Sequence, residues 1–229
     1  MRASVLLLGV CFIVGCREGE SNRPPGQVAA GEERAAPAGE RKVVMVVGTS
    51  LTAALGLDPE QGYPARLQEK VDSAGLPFDV VNAGHSGETS AGALSRMRRW
   101  LVRQPFDVLV LETGANDMLR GASVDSLRAN LQAIIDTVRG ARPDARIVLA
   151  GMVAAPNLGR RYAEAFGAVY PELARENGVV LIPFLLEGVA GDTAFNLGDG
   201  IHPNERGHGV IAATVWRTLE PVLRAEAAE

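Results

Sequence analysis

Cysteine is scarce in this chain of 229 residues, which contains only two, Cys11 and Cys16. Because both lie within the first sixteen residues, the rest of the chain can form no internal disulfide, and its core must be stable without one. Basic residues are not in excess: the formal net charge is −4, which gives no basic footprint for nucleic acid. Three scattered histidines supply no cluster with metal-ligand spacing. The sequence therefore implies no metal, no cofactor and no nucleic-acid partner.

One apolar run does exist near the start, from Val5 to Val14 in the segment MRASVLLLGVCFIVGC. It follows the positive Arg2 and is too short for a permanent membrane helix, so residues 1–15 are predicted to be a secretory signal. The end of this run, from Ile13 to Cys16, is similar to a bacterial lipoprotein processing site. That resemblance implies cleavage before Cys16, lipidation of its thiol and anchoring to a membrane of the cell envelope, facing the periplasm or the exterior. The alternative is an ordinary cleaved signal with an incidental cysteine.

The chain then divides into a tether and a domain. Residues 17–40 contain three prolines and four glycines but almost no large apolar residue, so we predict that 16–40 is a disordered tether that begins at the lipidated cysteine. Residues 41–229 are enough for one domain with a sizeable core.

Apolar β-rich runs alternate with helical patterns through this domain. The predicted strands are 43–47, 78–83, 106–114, 145–153 and 178–184. The predicted helices are 63–75, 89–104, 123–140, 160–177 (broken near Pro171) and 203–224. Strands that are apolar throughout predict an α/β fold with a parallel sheet covered on both faces. Ligands of such sheets bind beyond the carboxyl ends of the strands.

Polar residues gather at those ends. Ser50 follows the first strand, GHSGE the second and GANDMLRG the third, while GDGIHPN precedes the last helix. In the last of these, His202 has the pKa range of a general base, and Asp199 can orient its ring. Pro203 favours a first helical turn, which would place His202 at a helix start. The alternative makes Asp199 a helix cap and His202 a surface residue.

Two serines compete as nucleophile. Ser86 lies in a near match to the G-x-S-x-G elbow, but the second glycine falls one place early and only one strand precedes it. Ser50 has neither difficulty and is preferred. The backbone N–H groups of Ser50 and Gly87 and the amide of Asn116 are then candidate oxyanion donors. The alternative is that Gly87 only forms a turn and that Asn116 is only a loop or cap residue.

These blocks, V-G-T-S-L, N-A-G-H-S-G-E-T, G-A-N-D and D-G-I-H-P, resemble those of the SGNH or GDSL hydrolases, in the same order. The resemblance is greatest to the branch of arylesterases and acyl-CoA thioesterase I/lysophospholipases. It implies a three-layer, flavodoxin-like α/β/α sandwich with a five-stranded parallel sheet. It also implies a serine esterase acting on aryl or short-to-medium acyl (thio)esters or lysophospholipids through Ser50, His202 and Asp199, with Ser50, Gly87 and Asn116 as the oxyanion hole.

One position departs from the family pattern: Thr49 occupies the place of the usual aspartate of G-D-S-L. Two other functions therefore stay open. One is a carbohydrate O-acetyl esterase of the cell envelope, and the other is a lipid-anchored binding protein without catalytic activity.

Overall fold

Within residues 41–229, which the computed structural model describes, five parallel strands form one sheet in the order β2-β1-β3-β4-β5. The strands are β1 (Lys42–Gly48), β2 (Phe78–Gly84), β3 (Val108–Glu112), β4 (Arg146–Ala150) and β5 (Val180–Ile182). Each neighbouring pair runs in the same direction. The predicted five-stranded parallel sheet is thus confirmed.

Helices cover this sheet in two groups. They are α1 (Tyr63–Ser73), α2 (Ser90–Arg99), α3 (Ala115–Leu119), α4 (Val124–Ala141), α5 (Arg160–Asn177) and α6 (Glu205–Ala227). Helix α1 packs against α6, whereas α4 packs against both α2 and α5. The chain reverses its direction across the sheet after β2, so right-handed crossovers place the two groups on opposite faces. This arrangement is the predicted three-layer α/β/α sandwich.

The two central strands explain why the sequence pattern shows no alternation. All five residues of β3 and the last five of β1 are buried, so both faces of each strand contact helices. Side-chain caps fix where several helices begin: Thr89 accepts from the N–H of Gly92, Ser123 from that of Ser126, and Asn204 from that of Gly207. The sheet is therefore a rigid support for the loops at its carboxyl edge.

The predicted break of the fourth long helix at Pro171 is wrong, because α5 continues from Arg160 to Asn177. The ring of Pro171 removes one hydrogen bond, to the carbonyl of Gly167. In the turns just before it, Phe166 and Tyr170 are fully buried on the core face of α5. The packing of these two aromatic residues offsets the lost bond, so the helix stays continuous.

Two other helix predictions also need correction. Helix α2 ends at Arg99 and is followed by a separate 3-10 turn (Leu101–Arg103), instead of extending to residue 104. Pro203 does not begin a helix: it forms an isolated antiparallel bridge with Asn196, and α6 begins at Glu205 with Asn204 as its cap. His202 therefore lies in a loop that the bridge holds.

The predicted signal at 1–15 and tether at 16–40, including Cys16, lie outside the described residues and stay predictions. In the part of the chain that is described, no helix is both long and apolar enough to span a membrane.

Candidate active site

Ser50 lies in a tight turn directly after β1. The N–H of Ala53 donates to the carbonyl of Thr49 (2.9 Å), and that of Leu55 donates to the carbonyl of Ser50 itself (3.0 Å). The turn includes Ala54 with a φ of 55°, a left-handed conformation that is unusual for a residue with a Cβ. Surrounding contacts must stabilise this conformation, so the turn holds Ser50 in a defined place.

Asp199 and His202 come together in the loop before α6. One carboxylate oxygen of Asp199 accepts from the N–H groups of Ile201 (2.9 Å) and His202 (3.0 Å). The other oxygen is 2.6 Å from Nδ1 of His202. The bond from the His202 ring, followed by the two backbone bonds, holds the pKa of Asp199 well below its ordinary value. Asp199 is therefore ionised at neutral pH and keeps the ring proton on Nδ1.

The other ring nitrogen of His202 reaches Ser50. Its Nε2 lies 3.0 Å from the Ser50 hydroxyl, across a separation of 152 residues in sequence. Because Nδ1 carries the proton, Nε2 is free to accept one from the hydroxyl. The fold thus brings together the three side chains that sequence reasoning named, in the order serine, imidazole, carboxylate. This geometry allows proton transfer from a serine hydroxyl as it attacks an electrophile.

Ser86 has a different environment. Its side chain is exposed, and within residues 41–229 its hydroxyl makes no hydrogen bond to a histidine. His85, its neighbour, is also exposed, and its backbone N–H donates to the carbonyl of Gly48 (2.8 Å). The near match to a nucleophile elbow is therefore a loop fastened to the end of β1, without a base beside its serine.

The candidate oxyanion donors lie at the ends of three neighbouring strands. In the described part of the chain, the N–H groups of Ser50 and Gly87 have no protein acceptor. Gly87 has a φ of 78°, which glycine adopts without strain. The amide of Asn116 donates one hydrogen to the carbonyl of Glu88 (3.1 Å) and has a second hydrogen to offer. These three groups can present N–H donors to a negatively charged oxygen.

Two buried acid residues, to which sequence reasoning gave no role, hold the loops of Gly87 and Asn116. Glu88 makes a bidentate ion pair with Arg96 of α2, with N–O distances of 2.6 and 2.9 Å. Asp117, beside Asn116, accepts from both the N–H (2.8 Å) and the hydroxyl (2.5 Å) of Ser90. Asp117 could have been found as the acid residue of G-A-N-D, but Arg96 has no local signal.

Among residues 41–229, no group of three or more histidine, cysteine, aspartate or glutamate side chains could hold a metal ion.

Comparisons with known proteins identify the family of this chain. Residues 46–210 match the GDSL-like Lipase/Acylhydrolase family. Esterase TesA of Pseudomonas aeruginosa is 41% identical over 182 residues, which cover 80% of this chain and 90% of that protein. Thioesterase 1/protease 1/lysophospholipase L1 of Escherichia coli is 37% identical over 181 residues, covering 79% and 84%.

A solved structure shares the same fold. The psychrotrophic esterase EstA from Pseudoalteromonas sp., inhibited by monoethylphosphonate, superposes with a TM-score of 0.74 at 30% identity and covers 80% of this chain and 99% of its own. The family match over residues 46–210 includes all four blocks at the edge of the sheet, from Ser50 to His202. The chain therefore belongs to the GDSL-like lipase/acylhydrolase family and is a hydrolase with esterase and thioesterase relatives.

Proposed function

We propose that the protein hydrolyses carboxylic esters with Ser50 as nucleophile, His202 as general base and Asp199 as the group that orients the imidazole. The observation that carries the proposal is the continuous pair of short contacts, 3.0 Å from the Ser50 hydroxyl to Nε2 and 2.6 Å from Nδ1 to Asp199. Relatives named esterase and arylesterase support the reaction class.

In the first half of the reaction, the Ser50 oxygen bonds to the ester carbonyl carbon while its proton moves to Nε2 of His202. The carbonyl oxygen gains the negative charge. The N–H groups of Ser50 and Gly87 and the amide of Asn116 are the donors proposed to receive it. Asp199 stays ionised and stabilises the imidazolium.

The intermediate then collapses. The bond to the alcohol or thiol breaks, the leaving group takes the proton from His202, and an acyl-serine remains. A water molecule attacks this acyl group with His202 again as base, which releases the carboxylic acid and restores the Ser50 hydroxyl.

The surface around the site favours an apolar acyl group. Large hydrophobic side chains are exposed on the segments that follow β1, β3 and β4, including the end of α3, and on the loop that carries His202, namely Leu55, Leu119, Val153, Leu158 and Ile201. Burial of an alkyl chain against such side chains gains about 0.8 kcal/mol per methylene. Together with a relative named lysophospholipase, this supports short-to-medium acyl esters or lysophospholipids as substrates.

We propose further that Cys16 is lipidated and that the enzyme acts in the cell envelope. Acyl-CoA is a cytosolic thioester, so envelope esters suit this location better. Cys16→Ser is expected to move the protein from the membrane fraction to the soluble fraction. Retention of the variant in the membrane would contradict the anchor.

The test of the function compares two serines. With a p-nitrophenyl ester, Ser50→Ala should lower kcat by about 10³–10⁶, as for other triads. Ser86→Ala, the matched control, should retain most activity. The reverse pattern would overturn the assignment.

A panel of acyl lengths, extended to a lysophospholipid and an acetylated sugar, then separates the substrate classes. A preference for the acetylated sugar would favour the carbohydrate esterase alternative. Absence of Ser50-dependent turnover on every substrate would favour a binding protein.

A further inference from the structure

A fully buried carboxyl group, that of Glu112, lies at the end of β3 behind the Ser50 turn. Within residues 41–229 it has no cationic partner, and its contacts are hydrogen bonds alone. Oε2 accepts from the N–H of Thr49 (2.7 Å) and the hydroxyl of Thr52 (2.9 Å), while Oε1 accepts from the hydroxyl of Thr49 (2.9 Å). Burial raises the pKa of Glu112, and these hydrogen bonds oppose that rise. A buried acid without a counter-ion is costly, so its presence needs a reason.

The position of its partners supplies that reason. Thr49 precedes Ser50 and Thr52 follows it by two residues, so one carboxyl group binds the turn on both sides of the serine. Gly48, the last residue of β1, makes room for it. A Cβ at Gly48 would lie 1.9 Å from the Thr52 hydroxyl and 2.5 Å from Oε2 of Glu112.

The hydrogen bonds continue from Thr52 towards α6. The Thr52 hydroxyl donates its single hydrogen to Glu112, so the Tyr63 hydroxyl, 2.7 Å away, must donate to Thr52. Burial raises the pKa of Tyr63, which keeps that hydroxyl protonated. The N–H of Tyr63 in turn donates to Nδ1 of His208 (3.2 Å), in the first turns of α6. The network therefore connects the Ser50 turn to the helix that follows His202.

We propose that Glu112 is a positioning residue, which sets the place of Ser50 against His202 by binding Thr49 and Thr52. This inference rests on the proposed esterase function. Glu112 touches neither the substrate nor the reacting atoms, so its removal should affect the chemical step through the orientation of Ser50.

The same contacts account for Thr49. A threonine offers the carboxyl of Glu112 a backbone N–H and a hydroxyl hydrogen. The aspartate usual at this position in the family could offer a side-chain hydrogen only when protonated. Thr49 is thus a matched partner for a buried acid in this chain.

The first experiment measures kcat and KM for Glu112→Ala and Glu112→Gln on the ester that the wild type hydrolyses. Glu112→Ala should lower kcat about 10–100-fold with KM within about twofold, as expected for a small displacement of a reacting group. Glu112→Gln can accept from the N–H of Thr49 and donate to its hydroxyl, so it should recover most of the loss.

Glu226 is the matched control. It is a nearly buried glutamate at the opposite edge of the sheet, paired with Lys42 and Arg146 at the starts of β1 and β4. Glu226→Ala should lower the melting temperature and leave kcat unchanged. Equal kcat values in folded Glu112→Ala and Glu226→Ala would overturn the inference. If the wild type itself shows no Ser50-dependent turnover, the esterase proposal is refuted instead.

A second pair of variants decides the matter if Glu112→Ala does not fold. Thr49→Val removes the hydroxyl without changing the shape of the side chain and should lower kcat about 5–10-fold, with recovery in Thr49→Ser. Thr113→Val is its control, because the buried Thr113 hydroxyl has no hydrogen-bond partner among residues 41–229. Identical kcat values for Thr49→Val and Thr113→Val would overturn the inference.

Discussion

His208 should make the stability of the domain fall as the pH is lowered from 7 to 4. Its imidazole is only 1% exposed, stacks on Tyr63 and accepts a hydrogen bond from the Tyr63 N–H. Burial, with a smaller contribution from the Arg66 guanidinium, lowers the pKa of His208 from 6.5 to about 4. The folded domain therefore holds this ring neutral where the unfolded chain would protonate it.

The sign follows from proton binding in the two states. Between pH 6.5 and about 4 the unfolded chain binds the extra proton, so the free energy of unfolding decreases as the pH falls through this window. At about 1.4 kcal/mol per pKa unit, the full cost is up to about 3 kcal/mol. Acidic groups whose pKa is lowered in the folded domain, such as Asp199 and Glu226, also decrease its free energy of unfolding as the pH falls. The raised pKa of Glu112 acts in the opposite sense.

A variant isolates the histidine from these groups. His208→Asn keeps an oxygen that can accept from the Tyr63 N–H but removes the titration. Urea unfolding followed by circular dichroism from pH 8 to pH 4 gives the free energy of unfolding of each protein. At pH 8 the variant should be less stable by about 1–2 kcal/mol because of lost packing. At pH 4 the free energy of unfolding of the variant, relative to that of the wild type, should be about 2–3 kcal/mol higher than it is at pH 8. The difference between the two proteins should therefore become small or change sign.

The exposed His85 provides the control. Because its side chain lies outside the core, His85→Asn should leave the free energy of unfolding at pH 8 close to that of the wild type. A constant difference between His208→Asn and the wild type at every pH would refute the reasoning, because it would mean that the folded domain does not keep the His208 ring neutral.

Three further changes test the site. Asp199→Asn should lower kcat about 10³–10⁴-fold with little change in KM, since His202 would lose its orienting charge; an unchanged kcat would contradict this role. Asn116→Ala should lower kcat about 10²–10³-fold by removing one oxyanion donor; a change in KM alone would contradict it. Arg96→Met should leave Glu88 as a buried, unpaired charge and lower the free energy of unfolding by about 3 kcal/mol, measured by urea titration; a loss below about 0.5 kcal/mol would contradict a buried ion pair.

The sheet and its active edge were predictable from the sequence because their signals are local. Residues such as Val108 and Leu109 lie in runs that are apolar on both faces, which is the pattern of a central parallel strand. The parallel direction then places the residues after each strand at one edge. This is why Ser50 and His202, 152 residues apart, could be expected near each other before any distance was known.

Helix ends were less predictable, because tertiary contacts decide them. The effect of Pro171 on α5 depended on aromatic packing, and the environment of Pro203 on a bridge to Asn196. Neither contact has a signature in the neighbouring sequence.

The hydrogen-bond partners of the buried acids Glu112 and Asp117 were not predictable from the sequence. The bond between Glu112 and Thr49 spans 63 residues and that between Asp117 and Ser90 spans 27, so no periodicity within one helix or strand reports them. On the sequence alone, Glu112 is a charged residue at the end of an apolar strand, where solvent exposure is the ordinary expectation. Only the folded arrangement reveals that a carboxyl group lies behind the candidate nucleophile.

The most direct test of the central claim is the site of reaction with a fluorophosphonate, which forms a covalent bond with activated serines. After labelling of the folded wild type, mass spectrometry should locate one adduct on Ser50, and His202→Ala should label far more slowly. An adduct on Ser86, or no adduct on a protein that is folded by circular dichroism, would contradict the claim that Ser50 and His202 share a proton for nucleophilic attack.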